Sequence, residues 1–489
     1  MTNAITEIVE QARLTSQALY EYGRNLFEPT LRLGVTGLSR AGKTVFITAL
    51  VHGLLRGGRF PVFEALAGGR IASARLSPQP DDTVPRFAYE AHLEALIGER
   101  QWPESTKSIS ELRLVIEYQS RNGAMRELTL DIVDYPGEWL LDLPLLRTSY
   151  EDWSAETIRL SRLPDRIKLA EAWHANLANL DPAAPENELT AQNAAQLFTQ
   201  YLRACRDERF ALSLLPPGRF LMPGELADSP ALTFAPLDNL GPEPPSGSLH
   251  AMMRRRYESY KDLVVRPFYR EHIARLDRQI VLVDVLTALN AGPDAVRDLE
   301  RALAAILDSF NVGRNSILSA LFAPRIGHIV FAATKADLLH HTSHDRLERI
   351  LDRLVHSAID RAQYSGARID AVALASVRST REANVGSTHG TLAAIVGTPL
   401  RGEHAGGRVF DGNSEIVIYP GDLPDDPHLI FAPGEGGFRG LNTGPSEDAD
   451  YRFLRFRPPL LETADTGGPA LPHIRLDRTL EFLIGDRLR

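Results

Sequence analysis

The chain has 489 residues, 44% of them hydrophobic and 24% charged, with a formal net charge of −9. That length exceeds one ordinary hydrophobic core and predicts two or three domains, while the acidic balance argues against a surface built for nucleic acid. The single cysteine, Cys205, excludes an intramolecular disulfide and fits a reducing cytosol. The amino-terminal MTNAITEIVEQ lacks a leader pattern, and no apolar run approaches the roughly 20 residues that span a bilayer.

In chain order, Ile5, Ile8, Val9, Ala12, Leu19, Leu26 and Phe27 share a helical face and predict a helix within 1–27. A strand is expected at 31–36, then the loop GLSRAGKT (37–44), then a helix to about residue 56. Residues 57–110 are expected to hold turns and one helix near 87–99. LRLVIEY (112–118) and ELTLDIVDY (127–135) read as strands of a hairpin split by an Asn-Gly turn. Residues 140–278 read as mostly helical, with a Pro- and Gly-rich stretch, 207–249, expected as an irregular surface excursion. QIVLVDVL (279–286) reads as a strand buried on both faces. A helix is expected at 293–310, a strand in GHIVFAATKAD (327–337), an amphipathic helix at 346–362 and a strand at 370–376.

Strands alternating with helices predict a doubly wound α/β sheet formed by 28–139 and 279–390, interrupted by a helical insertion at 140–278. The runs EIVIY, HLIFA and YRFLRF, set among Gly and Pro, predict a small β module over 391–470. HIRLDRTLEFLIGDRL predicts a helix within 471–489 that packs back on the main sheet.

GLSRAGKT fits a phosphate cradle. Gly37 and Gly42 let the backbone curl so that N–H groups converge on a phosphate, and the following helix adds its positive end. Lys43 would reach the outer phosphates, and the Thr44 hydroxyl would bind Mg2+. DYPGEW (134–139) places Asp134 at a strand end, where a carboxylate serves Mg2+, and Gly137 where an N–H can meet a terminal phosphate. TKAD places Thr334, Lys335 and Asp337 at another strand end. A carboxylate at Asp337 accepts two hydrogen bonds from guanine that adenine cannot donate. In ALASVRST, the backbone of Ala375, Ser376 or Val377 is a candidate for the guanine carbonyl. In WPESTKSISEL, Thr106 is the choice for a second Mg2+ hydroxyl, with Ser105 and Ser108 as competitors.

This order of elements resembles a P-loop GTPase. GLSRAGKT, WPEST, DYPGEWLLDLPLL, VVRPFYREHIARLDRQIVLVDVL and ATKADLLHH together resemble the YcjX family of bacterial stress-associated GTPases, over almost the whole chain. The resemblance implies a P-loop NTPase sheet with a Ras-like GTPase core, GTP/GDP and Mg2+ as ligands, and slow hydrolysis. It further implies a stress-linked role in the cytoplasm or at the periphery of the inner membrane, with a protein effector or membrane-associated partner. The candidate nucleotide ligands are Gly37, Ser39, Arg40, Ala41, Gly42, Lys43, Thr44, Val45, Gly137, Thr334, Lys335, Asp337, Ala375, Ser376 and Val377. Those for metal are Thr44, Thr106 and Asp134.

For hydrolysis the candidates are Lys43, Arg40 and Glu138. Small GTPases carry a Gln where Glu138 stands; its charge would repel the terminal phosphate unless Mg2+ or an Arg offsets it. Arg40 lies where guanylate-binding proteins have an Arg that swings onto the phosphates on dimerisation, so a nucleotide-dependent dimer is compatible with this loop. The alternative for Arg40 is solvent or a local carboxylate. Two rival functions stay open, a scaffold that binds GTP with negligible hydrolysis and a P-loop ATPase or kinase. His340, His341 and His344 read as a flexible loop rather than a metal site, and Trp102, Trp139, Trp153 and Trp173 as core or interface residues.

Overall fold

The computed structural model describes residues 30–38, 40–79, 81–104, 108–227, 229–310, 326–364, 367–387, 390–405, 407–431, 451, 453–461 and 470–489. The helix expected within 1–27 lies outside these residues, as do Ser39, Ser105 and Thr106.

The fold is α/β with a mostly parallel central sheet. Its strands are β1 (Thr30–Gly37), β2 (Ile71–Ser77), β3 (Ser110–Gln119), β4 (Met125–Asp134), β5 (Arg278–Val283), β6 (His328–Ala333) and β7 (Arg368–Ala373), in the spatial order β2-β3-β4-β1-β5-β6-β7. From β4 to β7 neighbours run parallel, whereas β2 and β3 are antiparallel additions at one edge. The β3–β4 hairpin turns at Asn122-Gly123, where Gly123 takes φ 85°. Strand β2 was not expected; it is an edge strand with exposed positions, so it lacks a long apolar run. β5 is buried along its length but ends at Val283 rather than 286. Asp284 stops it by capping the next helix, its Oδ1 accepting from Thr287 N at 3.0 Å.

Helices cover both faces. On one side α1 (Lys43–Arg56) and α2 (Tyr89–Ile97) pack with Leu31, Leu33, Val35, Leu282 and Val330. The carboxy-terminal helix (Leu476–Ile484) joins them, burying Leu476, Leu480 and Leu483 in the same core. The opposite face, with Val133, Val281, Val283 and Phe331, is covered by the helical stretch between β4 and β5 and by helices further along.

That helical stretch begins as a 3-10 segment, Gly137–Arg147, and continues through α3 (Tyr150–Ser161), α4 (Glu171–Leu177), α5 (Glu188–Arg206) and α6 (Leu249–Tyr260). A π-helical turn, Lys261–Val265, leads to α7 (Arg266–Glu271). Next come α8 (Val285–Ala291), α9 (Pro293–Phe310) and, after β6, α10 (His344–Tyr364). Trp139, Trp153 and Trp173 are buried, and Trp153 packs on Phe198, Phe234 and Tyr257. The stretch 207–249 is not a surface excursion. Leu212, Leu215, Phe220, Phe234 and Leu237 are core residues, so its prolines and glycines shape a chain that lies across the helices. Asp298 of α9 fixes it: Oδ2 accepts from Ser213 N at 2.6 Å and Leu214 N at 2.9 Å, while Oδ1 meets the buried Arg166 guanidinium.

A three-stranded antiparallel sheet follows, with β8 (Arg381–Ser387), β9 (Gly390–Gly397) and Ile416–Ile418 in the order Ile416–Ile418, β9, β8. It starts before the boundary expected at 391. HLIFA falls in a 3-10 turn, Pro427–Phe431, that buries Ile430, and YRFLRF contributes one bridge, Phe456 with Pro399. The described part of HLIFA packs against α9 and α10, whereas YRFLRF pairs only briefly, with Leu400 N donating to Arg455 O and Arg457 N to Thr398 O at 2.8 Å.

Candidate functional site

The strand order reverses around β1: the strands that follow it up to β4 lie on one side, and β5 to β7 on the other. In open parallel sheets such a switch point leaves a crevice at the carboxyl ends of the strands. A cavity of about 230 Å³ sits there, lined by Arg40–Val45 beyond β1, Glu138 beyond β4, Thr334, Lys335 and Asp337 beyond β6, and Ala375–Val377 beyond β7. Segments about three hundred residues apart in the chain thus meet at one cavity.

The loop after β1 is built for a close backbone approach. Gly42 precedes α1 with φ 81°, in the left-handed region that glycine tolerates, and Phe46 N donates to Gly42 O at 2.9 Å. Arg40 holds φ 60°, a strained value for a side-chain-bearing residue. Lys43 Nζ folds back to donate to Gly37 O at 3.2 Å, and Thr44 Oγ1 donates to Glu104 O at 3.3 Å. Gly37 does not line the cavity; it lies beneath it against Gly137. A Cβ on Gly137 would stand 2.2 Å from Gly37 O. Asp134 is buried at the end of β4, in register with Val35 of β1. The Thr44 hydroxyl and the Asp134 carboxylate are hard oxygen donors, a set that fits Mg2+.

Asp337 is held in place by Ser379. Its Oδ2 accepts from Ser379 N at 2.8 Å and Ser379 Oγ at 2.5 Å. Burial pushes its carboxyl above the usual range, and the Ser379 bonds oppose that shift. Lys335, at φ 62°, sends its ammonium to Asp284 at the start of α8. Ala375 N donates to Ile474 O at 3.1 Å, so that N–H is engaged by the segment before the terminal helix. Ser376 and Val377 have no such backbone bond among the described residues.

Other cavity residues were not expected at the site from the sequence, although Trp102 was expected as a core or interface residue. Trp102 lines the wall and its Nε1 donates to Phe456 O at 2.6 Å, tying the segment before β3 to the carboxy-terminal region. Ser379, Arg206, Leu400, Arg455 and Phe456 also line it. No spacing signal marks them, because they arrive from segments far apart in the chain. Arg40 pairs with Glu208, just past α5, and Arg455 meets the same Glu208 at 3.1 Å. Glu138 is buried and lies 2.9 Å from Arg206 of α5.

Behind Glu138 the turn is wedged by the helical stretch. A Cβ on Gly218 would lie 2.0 Å from Glu138 O, and Gly218 N donates to Asp142 Oδ1 at 2.6 Å. Asp142 Oδ2 accepts from Tyr260 O–H at 2.5 Å, and burial pushes its carboxyl up to about 6. The native chain therefore holds a proton that the unfolded chain has lost between about pH 4 and pH 6. This contribution to stability is complete below about pH 4 and falls by about 3 kcal/mol as pH rises to 6. Asp142→Asn is expected to remove that slope, so the stability of the variant relative to wild type rises over this range. Urea unfolding midpoints on either side of the window check it.

The histidines after TKAD do not form a loose loop. His340 and His344 are buried, and His340 accepts from Thr342 N as a helix cap. His341 Nδ1 lies 2.7 Å from Glu382, whose other oxygen meets Arg378 at 3.1 Å.

Among the described residues no helix is long and apolar enough to cross a membrane. The chain is 37% identical over 476 residues to "Ras-like GTPase YcjX" of Escherichia coli K12, covering 94% of this chain and 96% of that protein. It is 35% identical over 489 residues to "Ras-like GTPase YcjX" of Shewanella oneidensis MR-1, covering 94% of each. The model of the "YcjX-like family, DUF463" matches residues 31–488. With that match spanning nearly every element described above, the chain belongs to the YcjX-like family.

Proposed function

We propose that this protein binds GTP with Mg2+ and hydrolyses it to GDP and phosphate, as a molecular switch. The observation that carries this reading is the cavity where Lys43 and Thr44 face Thr334, Lys335 and Asp337. A phosphate cradle and a guanine-selective carboxylate serve opposite ends of one ligand. The names of the two relatives agree with it.

In this reading Gly42 and Lys43 hold the phosphates, and Thr44 and Asp134 hold Mg2+, which when bound neutralises charge between the outer phosphates. Gly137 senses the terminal phosphate. Asp337 selects guanine, the Lys335 stem lies along the base, and the N–H of Ser376 or Val377 meets its carbonyl. The core would be 28–139 with 279–390, and the helical stretch at 140–278 would move with Gly137 and Glu138. A stress-linked role in the cytoplasm is carried by the family resemblance.

Calorimetry with GTP, GDP and ATP, with and without Mg2+, tests this on wild type and Lys43→Ala. Micromolar or tighter GTP binding is expected for wild type, with a loss of at least about 10²-fold in Lys43→Ala, since a buried charge-assisted contact to phosphate disappears. Equal affinity for ATP and GTP would instead favour an ATPase. A second reading, tight GTP binding with negligible hydrolysis, draws on Glu138 being engaged by Arg206. Single-turnover phosphate release separates the two.

A further inference from the structure

We propose that Arg206 is the ligand of the terminal phosphate, kept on Glu138 in this structure and transferred when that phosphate arrives. The assignment rests on the nucleotide reading above and names the residue that makes Glu138 tolerable beside a triphosphate.

Glu138 presents a buried carboxylate to a cavity that also receives Lys43 and Thr44. A polyanion entering there meets a like charge unless a cation accompanies it. Arg206 is that cation: it lines the same cavity, and its Nη2 is 2.9 Å from Glu138 Oε1. The two groups are close without being aligned, because Glu138 Oε1 accepts no hydrogen bond. A guanidinium can offer a phosphate two parallel N–H donors, a better match than this contact. Exchange from Glu138 to phosphate therefore replaces an unaligned contact with a bidentate one.

Position favours Arg206 over the other two arginines of the cavity. The side chains of Arg40 and Arg455 are 56% and 54% exposed, and both lean on Glu208. That of Arg206 is 26% exposed, facing a Glu138 side chain that is 7% exposed, so water screens this pair less. Arg206 also ends a 19-residue helix whose Phe198, Tyr201, Leu202 and Cys205 are buried, so its backbone is fixed. Its charge suits the negative carboxyl end of that helix. Because α5 belongs to the stretch between β4 and β5, transfer of Arg206 would report the terminal phosphate to those helices.

The test measures single-turnover phosphate release from GTP, and affinities for GDP and a non-hydrolysable GTP analogue, in wild type, Arg206→Ala and Arg206→Lys. Arg206→Ala is expected to lower the release rate by about 10³-fold, the scale of an arginine supplied to a phosphoryl group. Analogue affinity should fall more than GDP affinity. Added guanidinium should restore part of the rate to Arg206→Ala, and Arg206→Lys, which keeps the charge but not the fork, should fall between. A rate within about twofold of wild type in Arg206→Ala would overturn the assignment. So would equal losses for GDP and the analogue without rescue, which mark a merely structural arginine. Absence of guanine-nucleotide binding by wild type would strike the underlying reading itself and remove this assignment with it.

Discussion

Replacing Asp337 with alanine is expected to lower GTP affinity by about 10²- to 10³-fold and to leave ATP affinity within about threefold of wild type. Two hydrogen bonds from guanine to one carboxylate would be lost, together about 3–4 kcal/mol when the acceptor is charged. The carboxylate is 5% exposed and oriented by Ser379, so little ordering remains to be done on binding. Adenine offers no donor at those positions and has nothing to lose. The substitution also removes an acceptor from Ser379, so a modest stability loss is expected beside the affinity change. Ser379→Ala separates the two effects: it removes the hydroxyl bond to the carboxylate and keeps the backbone one, and its GTP affinity should fall by about tenfold or less. Equal affinity losses for GTP and ATP in Asp337→Ala would mean that the residue supports the loop and does not read the base.

Much of the parallel sheet was legible because each of its strands is a short apolar run bounded by turn residues. β5 and β6 are buried along their full length, and a continuous Val-Leu or Ile-Val run reports that directly. β2 failed the same reading because a half-exposed edge strand with Ala, Ser and Arg carries little signal. The cavity was legible where a motif constrains chemistry locally, as in GLSRAGKT and TKAD. It was not legible where the chemistry depends on distant elements meeting. Asp284 looked like part of a strand and instead caps a helix and holds Lys335. Arg206 belongs to no motif in the sequence, and the fold sets it against Glu138. Arg40 was noticed for its place in the loop, but its carboxylate partner, Glu208, lies far along the chain. Proline and glycine in 207–249 suggested a surface loop because composition reports backbone irregularity, not depth. The buried Leu215, Phe220 and Phe234 decide depth.

Gly137→Ala is expected to cut GTP turnover by at least about 10²-fold while GDP affinity stays within about threefold. The methyl group would stand 2.2 Å from Gly37 O, 2.5 Å from Gly37 C and 3.0 Å from Leu38 N. All three are backbone atoms at the end of a central strand, so no side chain can turn aside to make room. The turn must lift away from the loop by an ångström or more, and misplacement on that scale costs on the order of 10² in rate. Relief in the other direction is blocked as well. Gly218 lies against the far side of the same turn, where a Cβ would meet Glu138 O at 2.0 Å. The turn carrying Glu138 is thus clamped between two glycine backbones, one under the phosphate loop and one from the helical stretch. In the proposed reading GDP is held by Gly42, Lys43 and the base-reading segments, none of which lies in this clamp. Gly218→Ala should therefore show the same pattern, a loss of turnover with GDP affinity kept, though it lies in a different part of the chain. Stopped-flow phosphate release with parallel GDP titrations measures both variants. Wild-type turnover in Gly137→Ala would show that the turn stands off the loop during hydrolysis, and that the close approach belongs to a resting state alone.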